Sequence, residues 1–317
     1  MRRAYPLTIG LPQTNYRRFA EVRMLMEAGN FFWWALGEAI GRPVAQLRSA
    51  TGQPVYATIS FLEERFPDDR GLGSFGLDDR LRFLVGLRAA GPLAVEAHVV
   101  FDREHVFSAR EDPEVWWGSS PPVHPQVRFV SVFASPVADG APWQLAMPTN
   151  AILKTLEPMP HDANPLQLAR SAHTTGRLGL VPEAWVGPDR DEAVTVAYTI
   201  DPDRDTNAAG LVYFANYIAF IEAAEREALR ASMPGRDAWT ERELAGRHLQ
   251  GRRVAYYGNV SSTERLVLAV SRFASEVDPQ PIGLRTRVSR ARDGSLVCLS
   301  EALMSRRLTP PMEAAPH

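Results

Sequence analysis

The sequence predicts an α+β chain built from two similar units, each a long helix followed by antiparallel strands. Three observations lead there. The 317 residues accommodate about two domains of ~150 residues each. A weak internal repeat relates the halves: Thr14-Asn15, a helical stretch, Glu27-Ala28 and Gly41-Arg42 return as Thr206-Asn207, a helical stretch, Glu222-Ala223 and Gly235-Arg236. In each half a helical periodicity then gives way to strand-like runs separated by Pro and Gly.

In the first half, Leu25, Ala28, Phe32, Ala35, Leu36 and Ala39 recur at three- and four-residue spacing, so a helix is expected over Arg18 to Ile40. Gly41-Arg42-Pro43 stops it. Strands are expected at Val55 to Phe61, Leu81 to Leu87, Leu93 to Asp102 and Val127 to Phe133. From Ser135 to about His173 the chain is rich in Pro and Asn and reads as a linker with one short helix near Leu166 to Ala172. The second half opens with an alternating strand, Ala193 to Ile200. A polar turn and a helix from about Val212 to Ala231 follow. Strands are expected at Arg252 to Val260, Arg265 to Phe273, Ile282 to Arg290 and Leu296 to Met304, the last two joined by a turn at Arg292-Asp293-Gly294. The expected domains are 1–145 and 186–307, with a linker at 146–185 and a flexible tail at 308–317.

Apolar residues make up 45% of the chain and charged residues 23%, proportions that support real cores. Thirty-five basic residues against 37 acidic ones leave a net charge of −2, which argues against nucleic-acid binding. Lys154 is the single lysine; the other basic residues are arginines, suited to phosphate contacts. The lone Cys298 permits no intrachain disulfide and, in an apolar strand-like run, reads as a small buried hydrophobe. The seven His are scattered, without metal-ligand spacing, and His98, His105, His124 and His173 read as surface or satisfied core side chains. No stretch approaches the ~18 apolar residues of a membrane span. The N-terminal Met-Arg-Arg-Ala-Tyr-Pro lacks the apolar segment of a signal peptide, so a cytoplasmic location is expected.

The most informative stretch runs from Asp205 to Glu222. A polar turn (Asp205, Thr206, Asn207) enters a small-residue step (Ala208, Ala209, Gly210), and an apolar helix follows. A helix start offers unpaired backbone N–H groups and the positive end of the helix dipole, where a developing oxyanion can be held. The stretch resembles the active-site turn and central helix of hotdog-fold acyl-thioester enzymes. In the hydrolases of that family the motif reads roughly D-x-D-x-A-G-x-V-Y-x-x-N-Y, and its second Asp carries out hydrolysis. Asn207 stands at that position, and an amide cannot act as a general base.

A narrower resemblance covers residues 5 to 305. The two-unit layout, Gly10-Leu11-Pro12-Gln13-Thr14 and Gly52-Gln53-Pro54-Val55-Tyr56 resemble the leinamycin-type bifunctional acyltransferase/decarboxylases that work with polyketide synthases in antibiotic biosynthesis. That resemblance implies a double-hotdog fold. It also implies decarboxylation of methylmalonyl-CoA and transfer of the propionyl group to a phosphopantetheinylated acyl carrier protein. CoA enters only as part of the substrate, with no further cofactor. Tyr56 matches the tyrosine assigned in that family as the acylated residue.

Decarboxylating a malonyl-type thioester leaves an enolate whose oxygen must be stabilised. Asn207 could donate an amide N–H to it, beside the backbone N–H groups of Ala209 or Gly210; the same amide is suited to capping a helix. Tyr56 could act as nucleophile, bind the substrate carboxylate or protonate the enolate; a strand tyrosine is its structural alternative. Thr14 and Thr206 are equivalent under the repeat and could line the same or a second site, or cap the helices. Tyr217, Phe220, Ile221 and Ala224 read as core, and Asn216 as structural. Trp33-Trp34 and Trp116-Trp117 could flank an acyl pocket or simply pack. Two other readings stay open. One is a hotdog thioesterase or dehydratase-like enzyme; the other is a non-catalytic protein that binds acyl carriers. Association of two chains as a homodimer is also left open.

Overall fold

The computed structural model describes residues 2–15, 18–49, 51–107, 122–137, 145–146, 156–158, 165–187, 193–207, 210–231, 238–277 and 280–305. The first half contributes strands β1 (Arg2–Thr8), β2 (Thr14–Asn15) and β3 (Arg18–Phe19), helix α1 (Glu21–Ala39), then β4 (Tyr56–Arg65), β5 (Arg80–Gly91), β6 (Ala94–Arg103), β7 (Gln126–Pro136) and β8 (Leu145–Ala146). Helix α2 (Pro165–Thr175) connects to the second half. There β9 (Val194–Thr199), short α3 (Pro202–Asp205), α4 (Phe214–Arg230), short α5 (Glu241–Ala245), β10 (His248–Tyr256), β11 (Arg265–Ala274), β12 (Ile282–Arg290) and β13 (Leu296–Ser305) follow in order.

Eleven strands form one sheet in the order β1-β5-β6-β7-β4-β10-β13-β12-β11-β9, with β8 attached to β7. Inward from either edge the order is the same. The strand before the helix comes first, then the second, third and fourth strands after it, then the first. The weak sequence repeat is therefore a repeat of topology, and β4 and β10 meet at its centre, Arg252 opposite Glu64 and Val254 opposite Leu62.

Each sheet half wraps one helix because both elements are apolar on the facing side. On α1 the buried residues include Met24, Leu25, Ala28, Phe31, Phe32, Ala35 and Leu36; on α4 they include Tyr217, Ile218, Phe220, Ile221, Ala224 and Ala228. The two helices also touch each other, and one apolar core runs through both halves. Phe129 of β7 meets Phe214 of α4 edge-on at 5.6 Å, across the pseudo-two-fold. Gly29 permits this approach: a Cβ there would lie 3.0 Å from the Phe214 ring and 3.1 Å from the Tyr213 hydroxyl.

The sequence expectations miss β1, which pairs along β5 from Arg2 opposite Gly86 to Thr8 opposite Arg80. Its charged residues and Pro6 hide it, as is common at a sheet edge. Strand β10 begins four residues earlier than expected and ends at Tyr256, before Gly258 and Asn259. Helix α2 packs against β4, β10 and β13, its Ala169 and Ala172 joining Phe61, Val130, Leu178, Ala255 and Leu299 in a second apolar cluster. Cys298 is buried, as expected of a small hydrophobe. His98 and His124 are buried against Glu96 and Asp102. No helix among the described residues is long and apolar enough to cross a membrane.

Candidate active site

A cavity of about 1170 Å³ opens at the seam between the halves. The first half supplies Trp33, Trp34, Gly37 and Glu38 from α1, Arg42 to Ala45, and Val55 to Ser60 at the start of β4. The second supplies Asn207, Leu211 to Phe214 and Tyr217, Tyr256 to Asn259, and Arg290 and Arg292. Exposed Trp34, Glu38, Arg42 and Arg292 mark its solvent side.

The turn before α4 is held from within. Asn207 N–H donates to Leu211 O at 2.8 Å, Gly210 N–H to Asn207 O at 2.9 Å, and Leu211 N–H to Asn207 Oδ1 at 3.2 Å. Gly210 sits at φ +70°, a conformation that a Cβ disfavours, which is why the small-residue step ends in glycine. Asn259 clamps the next residue. Its Oδ1 accepts from Val212 N–H at 3.1 Å, and its Nδ2 donates to Val212 O at 3.3 Å.

Asp205 anchors the turn from outside the cavity. It is 2% exposed and accepts from Tyr198 Oη at 2.8 Å, Asp201 N–H at 2.9 Å and Arg204 Nε at 2.9 Å. Burial works against its charge, but Arg204, the Asp201 N–H and Tyr198 outweigh it and hold the carboxyl below its ordinary pKa. Its backbone oxygen takes the Asn216 amide at 2.9 Å and Tyr213 N–H at 3.1 Å, so Asn216 is a structural tie.

The cavity thus brings Tyr56 and Asn207 together from opposite halves. Thr14, Thr206 and Gly210 are not among the lining residues. Thr14 Oγ1 donates to Leu11 O at 3.0 Å, and Thr206 Oγ1 to Pro202 O at 2.6 Å. Ala209 and Trp116-Trp117 lie outside the described residues. The capping alternatives are corrected: Ala20 stands at the N-cap position of α1 and Tyr213 at that of α4, neither with a side-chain cap bond, because each lies six residues beyond Thr14 or Asn207. The first N–H groups of α4, on Phe214 and Ala215, belong to the end that the dipole makes positive.

Trp33 and Trp34 line the cavity, and so does Tyr217, which the apolar stripe assigns to the core. Tyr217 does both: it is 2% exposed and its hydroxyl has no hydrogen-bond partner among the described residues. No sequence signal shows which side of a helix faces a hole rather than a neighbour. Burial raises the pKa of Tyr217 and Tyr256, and takes Tyr213 to about 12, with Glu27 adding to the last shift. These phenols therefore stay protonated and can serve as donors. The Tyr256 hydroxyl donates to Phe214 O at 3.2 Å. Among the described lining residues there is no His, and the single carboxylate is Glu38, paired with Arg3. Among the described residues no group of three acidic, His or Cys side chains could hold a metal.

The pseudo-two-fold copy of this site is nearly filled. A space of about 20 Å³ is lined by Phe19, Glu21, Leu72, Gly73, Glu222, Arg247, His248 and Leu249. Arg247 to Leu249 at the start of β10 stand where Val55 to Ala57 stand at β4. The Glu222–Arg247 ion pair and the His248 ring, packed against Gly71, occupy the volume.

No family model and no curated protein sequence matches this chain. Solved structures do. An acyl-ACP thioesterase from Bacteroides thetaiotaomicron matches with TM-score 0.58 and 12% identity over 96% of this chain and 98% of its own. A protein described as an oleoyl thioesterase from Lactobacillus plantarum matches with TM-score 0.64 and 11% identity over 96% of each chain. The 12:0-ACP thioesterase from Umbellularia californica matches with TM-score 0.55 and 8% identity, again over 96% of each. Two helices, one shared sheet with a repeated strand order, and end-to-end likeness to these structures together make the chain a double hotdog.

Proposed function

We propose that this chain is an acyl-thioester enzyme that cleaves its substrate at the seam cavity, passing the acyl group to water or to a carrier thiol. The carrying observation is that Tyr56 and Asn207, on opposite halves, line one cavity that also meets the start of α4. The chain-long likeness in fold to acyl-ACP thioesterases supports the thioester class. An acyl-CoA or acyl carrier protein would present its thioester from the side of Trp34, Arg42 and Arg292. The carbonyl oxygen would face Asn207 and the N–H groups that begin α4, where negative charge is favoured as the tetrahedral centre forms. Tyr56 would hydrogen-bond the entering or leaving group.

A second reading is favoured by Asn207 itself. Decarboxylation needs an oxyanion site and no carboxylate base, so the lining suits loss of CO2 from methylmalonyl-CoA and transfer of propionyl to a carrier protein, as the leinamycin-type resemblance implies. One experiment separates the readings. The purified protein is incubated with octanoyl-CoA and with methylmalonyl-CoA, each with and without a phosphopantetheinylated carrier protein. Products are followed by chromatography and intact protein mass. Free CoA with a free acid supports hydrolysis; propionyl-CoA, propionyl-carrier or propionylated protein supports decarboxylating transfer. Substrates recovered intact in every mixture would sink both. Tyr56→Phe should lower the active turnover at least about tenfold.

A further inference from the structure

The seam cavity is far larger than a short acyl group requires. At roughly 30 Å³ per water-sized group, 1170 Å³ holds on the order of forty such groups, whereas a propionyl thioester contributes about five and a pantetheine arm about twenty. The space left over is that of a drug-sized ligand. Its walls also have a definite chemistry. Trp33, Tyr213, Phe214, Tyr217, Tyr256 and Tyr257 surround it with rings drawn from both halves, which suits flat or branched groups. Polar atoms are spread among those rings. Tyr56, Ser60 and Asn207 line the same cavity, a pattern that fixes the orientation of a ligand carrying oxygen atoms. The Tyr217 hydroxyl, enclosed and without a partner among the described residues, adds one unsatisfied donor at that wall.

We propose that the substrate's acyl group is bulky and oxygen-bearing, of aromatic or polycyclic size, and that it occupies the ring-lined part of the seam cavity while the pantetheine arm lies toward Arg42 and Arg292. This rests on the acyl-thioester reading above. It assigns the aromatic wall the task of substrate selection. It also sets the preferred acyl group apart from the three-carbon unit of the decarboxylase reading.

Calorimetric titration of the full chain with propionyl-CoA, octanoyl-CoA and 1-hydroxy-2-naphthoyl-CoA tests it. The naphthoyl thioester should bind at least about tenfold more tightly than propionyl-CoA, with octanoyl-CoA between them, because more apolar area is buried and the hydroxyl finds partners. Trp33→Ala, which removes a partly exposed ring from that wall, should reduce that ratio toward one. Equal affinity for the three thioesters, or a ratio unchanged by Trp33→Ala, overturns the size assignment. Tighter binding of octanoyl-CoA than of the naphthoyl compound overturns the aromatic, oxygenated assignment. If none of the three binds, the acyl-thioester reading fails and takes this one with it.

Discussion

Asn207 does two jobs that substitution can separate. Its Oδ1 accepts from Leu211 N–H and shapes the turn, while the residue faces the cavity. Asn207→Ala leaves that N–H without its acceptor and should cost roughly 1 kcal/mol of stability, along with most of the activity. Asn207→Asp keeps the acceptor and introduces a carboxylate. Thermal denaturation should show it close to wild type, while hydrolysis of octanoyl-CoA should rise. A fall in hydrolysis would show that the amide's donor, not a base, is what the chemistry requires. Tyr217→Phe gives a contrasting result. Burying an unpaired hydroxyl is unfavourable, so the variant should be unchanged or more stable by up to about 1 kcal/mol. A loss of more than that in chemical denaturation would reveal a partner for the hydroxyl.

At the scale of elements, the halves are joined by charge as well as by strand pairing. Arg252 of β10 is fully buried; its guanidinium meets Glu21 of α1 at 2.6 Å and Glu225 of α4 at 2.7 Å, with Ser300 of β13 at 3.1 Å. Glu64 of β4 lies 3.7 Å from the Arg252 Nε and is also fully buried. Glu222 and Arg247 add a further buried pair beside Glu21. Arg252 thus faces three carboxylates. Burial first, then repulsion by Glu21, raises the Glu64 pKa well above its ordinary value, which favours its protonated form. Removing Arg252 from this cluster strands the carboxylates, and Arg252→Met should cost about 3–5 kcal/mol.

The pH dependence follows from the direction of the Glu64 shift. The folded chain holds a proton that the unfolded chain releases once pH exceeds the ordinary glutamate range, about 4.3. That contribution to stability is complete below this range and is lost as pH rises toward the folded-state pKa. Glu64→Gln removes the titration, so denaturant unfolding should show the variant gaining on wild type as pH rises above about 4.3. A difference constant with pH would mean that Glu64 is ionised in the folded chain.

The whole molecule is symmetric in topology and asymmetric in its cavities. One seam site is open at about 1170 Å³ and its counterpart is reduced to about 20 Å³ by Phe19, His248 and the Glu222–Arg247 pair. One thioester should therefore bind per chain, and titration with the tightest of the three CoA thioesters should give a stoichiometry near one; a value near two would mean that the closed site opens.

Local patterning determined much of this protein. The spacing of Leu25, Ala28, Phe32 and Leu36 marks α1, the alternation from Val194 to Thr199 marks β9, and the repeat of turn, helix and strands announces two like units, because each pattern records which face of one element is apolar. Tyr56 and Asn207 were legible as candidates, one from a resemblance and one from a polar turn before a helix. Only the tertiary structure decided that they share a cavity, that Asp205 anchors the turn rather than lining the site, that Tyr217 borders open space, and that Arg252 gathers Glu21, Glu64 and Glu225. These relations join residues far apart in the chain, and whether a gap at the seam between the halves stays open depends on the volumes of side chains arriving from both, which no local pattern carries.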